Sequence, residues 1–429
     1  MNGLNIPDTN LERVVIIGCG FGGLNLAKKL NHQRYQVVMI DKHNYHTFQP
    51  LLYQVATAGL EPDSIAYPIR HIFRKLPNFY FRLAKAESID TENKILQCDI
   101  GKLDFDHLVI ATGSGTNYFG MKTVEELGMP MKTVPEALNL RSLILQNFEA
   151  ASLTQDLKAR ERLMNFAIVG AGPTGTELAG ALAELKNHVL PNDYPDLDFR
   201  RMSIHLIEMA GKVLPPMQDF SSRNALKYLE TLGVQVWLNT AVKSYDGETV
   251  KTNKKDLPAS TLIWAAGVTG NIIPGLEEGK DYHHGRYQVN GLNQIGEHKN
   301  IYAIGDVASM ADEQNPKGHP MLAQVAIQQG QNLAKNLNNS SDSTKWKNFS
   351  YKDKGTMATV GRNKAVAELY GKLMLKGFPG WAVWMAVHLI SLVGFRNRMV
   401  VFFNWLVNYF SYDRKIRLII RPWKGHGQS

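Results

Sequence analysis

The chain contains the stretch Val15-Ile16-Ile17-Gly18-Cys19-Gly20-Phe21-Gly22-Gly23, and a second stretch of the same kind, Ile168-Val169-Gly170-Ala171-Gly172-Pro173-Thr174-Gly175, lies far downstream. Each follows an apolar, β-branched run and opens a helix-like segment, which is the context that the glycine fingerprint of a βαβ unit requires. The glycines allow a tight turn, close approach of the backbone to a pyrophosphate, and close packing of the helix on the strand. Two complete motifs therefore predict two dinucleotide sites in one chain.

An acidic residue follows each fingerprint at the end of the next apolar run. Asp41 ends the run Val37 to Ile40, and Glu208 ends the run Ile204 to Ile207. A carboxylate at the carboxyl end of such a strand can accept a hydrogen bond from a ribose 2′-OH. Because a 2′-phosphate would be repelled by Glu208, we expect the second site to prefer NAD(H) over NADP(H). One real site with a decayed copy is the alternative, and the complete second set of glycines and acid argues against it.

The order of these segments indicates an α/β protein in which two Rossmann-like dinucleotide-binding domains are nested, one inserted in the other. At 429 residues the chain is long enough for two or three domains. We predict a first domain in two parts, residues 1–120 and 291–345, with the second domain at 121–290 between them. Residues 346–429 form a separate C-terminal segment.

The net charge of +9 is concentrated in the C-terminal segment. From Arg362 to the end there are eleven Lys and Arg residues and two acids, so this segment carries the whole excess of the chain. Four of the seven tryptophans lie there too: Trp381, Trp384, Trp405 and Trp423. A basic, aromatic segment is typical of proteins that bind nucleic acid or a membrane surface.

The apolar stretches of this segment, Phe378 to Phe395 and Met399 to Phe410, are too short to span a bilayer, which takes about 20 residues. In the second stretch the polar residues share one helical face and the apolar residues fall opposite. The polar set is Asn404, Asn408, Ser411 and Lys415; the apolar set is Phe402, Leu406, Tyr409 and Phe410. This pattern predicts a membrane-anchoring amphipathic helix on an anionic lipid surface. Helices packed into the core or into a dimer interface are the alternative. Nucleic acid is not expected, because the aromatic residues are not interleaved with the charges.

The two cysteines, Cys19 and Cys98, are isolated in the sequence. They can form neither a disulfide framework nor a CxxC redox pair, and with no EF-hand loop visible we expect no metal site. The first residues also lack the basic start and apolar core of a signal peptide, so secretion is not expected.

These motifs resemble those of the two-dinucleotide-binding flavoproteins, and within them the type II, non-proton-pumping NADH:quinone oxidoreductases. The glycine stretches, Ala111-Thr112-Gly113 and Ala303-Ile304-Gly305-Asp306 are shared across the wider group. Two further features narrow the resemblance to this family: Ala323-Gln324-Val325-Ala326-Ile327-Gln328, and the C-terminal segment with Gly394-Phe395-Arg396-Asn397-Arg398.

The resemblance implies FAD and NAD(H) as cofactors, and it implies roles for particular residues. Catalytic roles are expected for Glu177, close to the nicotinamide on the first turn of its helix, and for Gln324 and Gln328 at the quinone. The residues expected to bind the cofactors are Gly18, Gly20, Phe21, Gly22, Gly23, Asp41, Lys42, Gln49, Pro50, Ala111, Thr112, Gly113, Gly170, Gly172, Pro173, Thr174, Gly175, Glu177, Glu208, Ala266, Gly267, Gly305, Asp306, Ala323 and Gln324.

The expected function is that of a peripheral (monotopic) flavoenzyme on the cytoplasmic face of the bacterial inner membrane. It would pass hydride from NADH to FAD and two electrons to a membrane quinone, without pumping protons. The resemblance also implies a homodimer. Three other functions are the alternatives. A sulfide:quinone oxidoreductase would share the membrane anchor but needs redox cysteines. A soluble NADH-dependent flavin reductase for a protein electron carrier and a membrane-docked NADH-sensing flavoprotein would use the same cofactors.

Overall fold

The computed structural model describes residues 4–313, 315–339, 343–411 and 416–425. The chain divides into two compact units, each assembled from three segments. The first unit comprises Met1–His46, Tyr67–Gly115 and Val268–Asp353; the second comprises Thr47–Ala66, Thr116–Gly267 and Lys354–Ser429.

The helices and strands are numbered separately in chain order. The α-helices are α1 Phe21–Lys29, α2 Leu52–Ala56, α3 Pro62–Ile65, α4 Ile69–Phe73, α5 Lys122–Leu127, α6 Val134–Leu153, α7 Leu157–Met164, α8 Pro173–His188, α9 Leu190–Asp193, α10 Asp219–Thr231, α11 Ala323–Asn338, α12 Gly377–Ser391 and α13 Phe395–Ser411. Short 3₁₀ helices cover Gln49–Leu51, Phe199–Arg201, Gly305–Val307 and Ser343–Lys345. The strands are β1 Glu12–Ile17, β2 Tyr35–Asp41, β3 Tyr45–Thr47, β4 Ala66–Pro68, β5 Phe79–Leu83, β6 Ala86–Asp90, β7 Ile95–Cys98, β8 Gly101–Asp104, β9 His107–Ile110, β10 Ser114–Thr116, β11 Met129–Pro130, β12 Phe166–Val169, β13 Ile204–Ile207, β14 Gln235–Trp237, β15 Val242–Tyr245, β16 Thr249–Thr252, β17 Leu257–Pro258, β18 Thr261–Trp264, β19 Val268–Gly270, β20 Tyr282–His283, β21 Arg286–Gln288, β22 Ile301–Ala303, β23 Ala308–Ser309, β24 Gly355–Thr359, β25 Ala365–Leu369 and β26 Leu373–Lys376.

The first unit is built on a parallel five-stranded sheet in the order β22-β9-β1-β2-β5. Ile17 at the end of β1 pairs with Ile40 on one side and with Ile110 on the other. The three loops that follow these strands therefore leave the sheet at the same edge, as ligand-binding loops do in doubly wound folds. Because β22 comes from a segment after residue 267, the sheet confirms that one dinucleotide-binding fold is inserted in the other.

The second unit repeats this arrangement with a parallel sheet in the order β11-β18-β12-β13-β14. Val169 at the end of β12 pairs with Ile207 and with Trp264, so the loops after β12, β13 and β18 again share one edge. Strands β12, β13 and β18 are buried along their whole length. Such continuous apolar runs are typical of parallel strands that are covered on both faces.

From Lys354 onward the C-terminal segment belongs to the second unit, and it contains the antiparallel sheet β24-β25-β26 followed by helices α12 and α13. The sheet lies close against α8: a Cβ added at Gly180 would come within 2.9 Å of the backbone carbon of Val360. Because no side chain fits between them, helix and sheet pack at backbone distance.

Candidate functional site

The glycines of the first loop are needed for different structural reasons. Gly18 adopts a φ of +103°, and a Cβ there would lie 2.3 Å from the carbonyl oxygen of Ala111. A Cβ at Gly23 would lie 2.0 Å from the carbonyl oxygen of Gly18, so the first turn of α1 packs directly on the loop. A Cβ at Gly20 would meet nothing within 4 Å. The free space over Gly20, at the start of α1, fits a pyrophosphate on the helix N-terminus.

The second glycine loop has the same construction. A Cβ at Gly170, where φ is +98°, would lie 2.6 Å from the Cα of Ala266, and one at Gly175 would lie 1.9 Å from the carbonyl oxygen of Gly170. Gly172, which caps α8, again has nothing within 4 Å. The structure thus places two closely similar cradles in the chain, one in each unit, and both fit a dinucleotide.

The two acids that follow the loops bind the loop backbone. Oδ2 of Asp41 accepts the backbone N–H of Cys19 at 2.6 Å, and its Oδ1 accepts that of His43 at 2.8 Å. Burial raises the pKa of Asp41 above its usual value, and these two donors oppose that effect. Glu208 accepts the N–H of Ala171 at 2.7 Å in the same way. Each carboxylate therefore anchors the loop beside which it was predicted to meet a ribose.

Other predicted cofactor residues of the first unit lie around the same sheet edge. Thr112 exchanges hydrogen bonds with Asn271, donating at 2.7 Å and accepting at 3.0 Å. Asp306 accepts the hydroxyl of Ser114 at 2.6 Å through Oδ2. A Cβ at Gly22 would lie 3.2 Å from the side chain of Ile304, so this glycine serves the packing of α1.

The remaining predicted residues fall in three places. Phe21 begins α1 with its ring edge-on to His46, and Lys42 is exposed just after β2. Gln49 and Pro50 belong to the second unit, in the 3₁₀ helix Gln49–Leu51. In the second unit Pro173 and Thr174 open α8 as exposed residues, and Gly267 lies against the ring of Phe119.

Gln324 and Gln328 lie one turn apart on α11, which begins at Ala323. The amide of Gln328 is held by the backbone of Lys352: its Nε2 donates to the carbonyl at 2.9 Å, and its Oε1 accepts the N–H at 3.0 Å. Nε2 of Gln324 lies 3.3 Å from Oδ1 of Asp353. Both glutamines are thus engaged with residues 352–353, contacts that the sequence did not predict.

Gln329 on the same helix is a site residue that the sequence analysis missed. It is completely buried, and its Oε1 accepts the backbone N–H of Gly305 at 2.7 Å, which holds the turn that carries Asp306. Its Nε2 has no hydrogen-bond partner in the described part of the chain. Its position directly after Gln328 was the available signal, but the pattern alone does not show which glutamine points inward.

Glu177 is a buried acid on α8, with 6% of its surface exposed. Oε1 accepts the indole N–H of Trp384 at 3.2 Å and lies 3.4 Å from the backbone N–H of Thr359. Burial raises the pKa of Glu177 to about 8, against the lowering effect of these two donors. The expectation that Glu177 lies on the first turn of its helix was wrong: α8 begins at Pro173, and its first turn has no acidic residue. Burial between α8 and the C-terminal segment, rather than the helix dipole, governs this carboxyl.

Glu177 lines a cavity of about 110 Å³ inside the second unit. Its walls come from α2, α8, the turn after β24, α12 and α13. Five aromatic residues surround it, Tyr53, Trp381, Trp384, Trp405 and Tyr409, and the polar lining includes Gln54, Thr57, Glu184 and Arg362. The backbone N–H of Arg362 donates to Glu184, and its guanidinium lies 5.0 Å from the ring centre of Tyr409. Aromatic walls combined with polar side chains that converge on one cavity are typical of small-molecule binding sites.

Helix α13 turns asparagine side chains and Val401 toward the protein, whereas Arg396, Arg398 and Ser411 are exposed. Asn397 donates to the carbonyls of Asp63 and Ala66, both at 3.1 Å, and Asn408 donates to that of Gly59 at 3.3 Å. Five exposed apolar residues share the opposite face: Phe402, Phe403, Leu406, Val407 and Phe410. Lys415, assigned to the polar face from the sequence, lies outside the described residues. Within the described part of the chain, no helix has the length and apolar character that crossing a membrane requires.

Both cysteines are buried, and burial raises the pKa of each thiol, to about 12 for Cys98. A thiol that stays protonated is a poor nucleophile and a poor redox partner. Among the described residues no cluster of three or more His, Cys, Asp or Glu side chains could hold a metal ion.

Comparison with known proteins agrees with this geometry. Residues 12–330 match the pyridine nucleotide-disulphide oxidoreductase family, and residues 354–412 match the NDH2 C-terminal domain. The type II NADH:quinone oxidoreductase Ndh of Mycobacterium tuberculosis is 35% identical over 94% of this chain and 89% of its own length. The external NADH-ubiquinone oxidoreductase 2 of Saccharomyces cerevisiae mitochondria is 28% identical over 93% of this chain and 81% of its own length.

A solved structure of NDH2 from Plasmodium falciparum in complex with NADH shares the fold, with a TM-score of 0.88 at 23% identity. The match covers 96% of this chain and all of that one. The family match over most of the chain and the 35% identity to Ndh establish the relationship. The chain belongs to the type II NADH:quinone oxidoreductases, enzymes built on the pyridine nucleotide-disulphide oxidoreductase fold.

Proposed function

We propose that the protein is a peripheral membrane enzyme that oxidises NADH and reduces a membrane quinone without pumping protons. The cradle of the first unit would hold FAD, and the cradle of the second would hold NAD(H). The open space over Gly20 and Gly172 supports both assignments, because each admits a pyrophosphate beside a helix N-terminus. FAD, when bound, supplies the redox chemistry that links the substrates, since flavins accept hydride from nicotinamides and deliver two electrons to quinones.

The reaction consumes one proton in addition to the hydride, because NADH, a quinone and a proton give NAD⁺ and a hydroquinone. Glu177 is suited to hold this proton. It lies on the helix that begins at the second cradle, and its pKa of about 8 keeps it protonated at neutral pH. Both of its hydrogen bonds end on Oε1, which is the pattern of a carbonyl oxygen, so we assign the proton to Oε2.

Gln324 and Gln328 are proposed to bind the quinone. A glutamine amide can donate to a quinone carbonyl and accept from the hydroxyl of the product. Both polar atoms of the Gln328 amide are hydrogen-bonded to the backbone of Lys352. Gln328 can therefore contact the quinone directly only if these two hydrogen bonds break; otherwise it contributes only to the shape of the quinone site. The N-terminus of α11, near Gln324, is the positive end of the helix dipole and would favour negative charge there.

The observation that carries the membrane assignment is the orientation of α13. A helix on the surface of a soluble protein buries its apolar face, whereas α13 bonds its polar face to the protein and exposes a row of phenylalanine, leucine and valine side chains. Such a helix fits a lipid interface, and the basic residues of the C-terminal segment fit anionic headgroups. We accordingly place the enzyme at the cytoplasmic face of a bacterial inner membrane.

Stopped-flow spectroscopy of the holoenzyme tests the catalytic part. NADH should reduce the bound flavin rapidly, and a short-chain ubiquinone should reoxidise it at a rate that supports steady-state turnover. Rapid reduction without quinone-dependent reoxidation would reject the quinone reductase and favour the NADH-sensing alternative.

Vesicle flotation tests the membrane part. The triple variant Phe402→Ser, Leu406→Ser, Phe410→Ser should lose binding to phosphatidylglycerol vesicles and keep turnover with the water-soluble quinone. The control is Leu153→Ser at the end of α6, a different helix, where the leucine is 86% exposed; this variant should bind the vesicles as the natural protein does. If the natural protein does not bind the vesicles but forms dimers, and the triple variant is monomeric, the α13 face is instead an interface between two copies.

A further inference from the structure

Helix α12 brings one hydrogen-bond donor into the centre of the second unit. Trp384 is 2% exposed, and its indole N–H donates to Oε1 of Glu177 at 3.2 Å. Its ring stacks on His388 with centroids 4.1 Å apart and lies 5.5 Å from the ring of Trp405. Trp384 is held in turn by its own helix neighbour, because Nδ1 of His388 lies 2.7 Å from the carbonyl oxygen of Trp384.

The described residues offer Glu177 no charged partner. The ionisable groups on the elements around it are Tyr53 on α2, Glu184 on α8, Arg362 after β24, His388 on α12 and Tyr409 on α13. Burial lowers the pKa of His388 to about 4, so this ring is neutral at physiological pH. The carboxyl is therefore controlled by two influences, exclusion of water and the donors on Oε1.

We propose that Trp384 is the positioning residue of Glu177: its indole N–H fixes Oε1 as the acceptor and leaves Oε2 to face the cavity as the oxygen that carries the proton. The C-terminal helix thereby completes the acid site of the nucleotide-binding unit. The kinetic consequence of this inference rests on the proposed role of Glu177, but the contact itself can be tested without turnover.

Trp384→Phe removes the donor and keeps an aromatic ring over the carboxyl. Since a donor to a carboxyl oxygen favours the charged form, its loss should raise the pKa of Glu177, by about one unit for an ordinary hydrogen bond. Trp384→Ala also admits water. Because burial is the largest influence on this group, the pKa should then fall instead. A residue that acted only through packing would move the pKa in one direction in both variants.

The chain offers a matched control in Trp405, which belongs to the same aromatic cluster. Its indole N–H donates at 2.8 Å to Oε1 of Gln54, a neutral amide, rather than to a carboxyl. Trp405→Phe removes an indole N–H from the same cavity and should leave the pKa of Glu177 unchanged.

The first measurement is infrared titration of the resting holoenzyme between pH 5 and 10. The carbonyl band of a protonated carboxylic acid that disappears in Glu177→Gln belongs to Glu177. Its midpoint should move upward in Trp384→Phe, downward in Trp384→Ala and not in Trp405→Phe. An unchanged midpoint in Trp384→Phe, or an equal shift in Trp405→Phe, overturns the proposal.

The second measurement is the pH dependence of kcat with a short-chain ubiquinone. A limb that falls as Glu177 loses its proton should move to higher pH in Trp384→Phe and be absent in Glu177→Gln. If the infrared midpoint shifts in Trp384→Phe but kcat of the natural enzyme does not fall as Glu177 loses its proton, the catalytic role of Glu177 is wrong and the positioning role of Trp384 is retained. If Trp384→Phe does not fold, NMR of the natural protein replaces it. The chemical shift of the Trp384 indole N–H should then change with pH with the same midpoint as the infrared band, and this change should be absent in Glu177→Gln. An indole N–H whose chemical shift does not change with pH overturns the proposal.

Discussion

The carboxylate of Glu208 holds the backbone N–H of Ala171 at 2.7 Å, between the first two glycines of the second cradle. Its other oxygen accepts the N–H of Ala210 at 2.8 Å. The acid thus anchors the glycine loop, and we propose that it also presents negative charge to the adenosine ribose of a bound NADH.

Substitution of Glu208 should separate these tasks. Glu208→Gln keeps an acceptor for Ala171 and removes the charge, so the preference for NADH over NADPH in kcat/KM should fall by about tenfold. Glu208→Ala should also raise the KM for NADH, because the loop loses its anchor. Steady-state kinetics with both nucleotides provides the measurement, and an unchanged ratio in Glu208→Gln would contradict the assignment of the second cradle.

Alanine substitutions at four glycines of the two cradles have three different expected outcomes. Gly20→Ala should fold and lose FAD, because its Cβ enters open space at an ordinary φ of −70°. Gly172→Ala should keep FAD and raise the KM for NADH. Gly23→Ala and Gly175→Ala should unfold at lower temperature, since each Cβ would lie about 2 Å from a carbonyl oxygen. Flavin content, KM and melting temperature separate the three outcomes; loss of FAD in Gly172→Ala would reverse the assignment of the cradles.

Glu177 should make the protein less stable as pH rises. Its pKa is about 8 in the folded state, above its value when exposed, so the folded state binds more protons between about pH 4.5 and 8. The free energy of unfolding therefore falls through this window, by at most about 1.4 kcal/mol per pH unit, and levels off above it. Glu177→Gln removes this dependence. The melting temperature of Glu177→Gln relative to that of the natural protein should rise from pH 6 to 8 and level off above pH 8, whereas Glu230→Gln, at an exposed position of α10, should show a constant difference.

Gln329 should stabilise the turn that carries Asp306. Gln329→Leu leaves the buried N–H of Gly305 without its acceptor, which costs about 1–3 kcal/mol in the free energy of unfolding. Gln331→Ala, two residues along α11, should cost much less, because Gln331 is only half-buried. Chemical denaturation measures both, and equal effects would show that Gln329 contributes only by filling space.

The two thiols should be inert in the native protein. Burial raises the pKa of Cys19 and Cys98, so iodoacetamide at pH 7.5 should label neither within the time of an activity assay, and turnover should persist. Mass spectrometry after quenching detects the label. Rapid modification with loss of quinone reduction would instead support the chemistry of a sulfide:quinone oxidoreductase.

The two nested dinucleotide-binding folds could be predicted from the sequence, because the spacing of the glycines depends on the local backbone geometry of the loop and of the helix that follows it. Gly18 and Gly170 need their positive φ, and Gly23 and Gly175 need their missing side chains, whatever surrounds them. The acids could be placed for the same reason, since each ends a buried strand beside its loop.

The surroundings of Glu177 could not be predicted, because they depend on residues far away in the chain. Trp384 lies 207 positions from the acid that it contacts, and no periodicity links them. The inward direction of Gln329 and the pairing of Gln328 with Lys352 likewise follow from how α11 packs. The sequence predicted an amphipathic α13 with its apolar face toward lipid, but it put Tyr409 on that face, whereas Tyr409 lines the inner cavity.

The construction of α12 and α13 bears on how a water-soluble form of this enzyme should be made. Deleting the chain from Phe378 onward would remove the exposed apolar face of α13. It would also remove Trp384, Trp405 and the cavity wall that shields Glu177 from water. A shortened protein should therefore fail as a catalyst even where it stays in solution. Substituting serine or lysine for the exposed apolar residues of α13, while keeping the residues that line the cavity, is the better way to obtain a soluble enzyme.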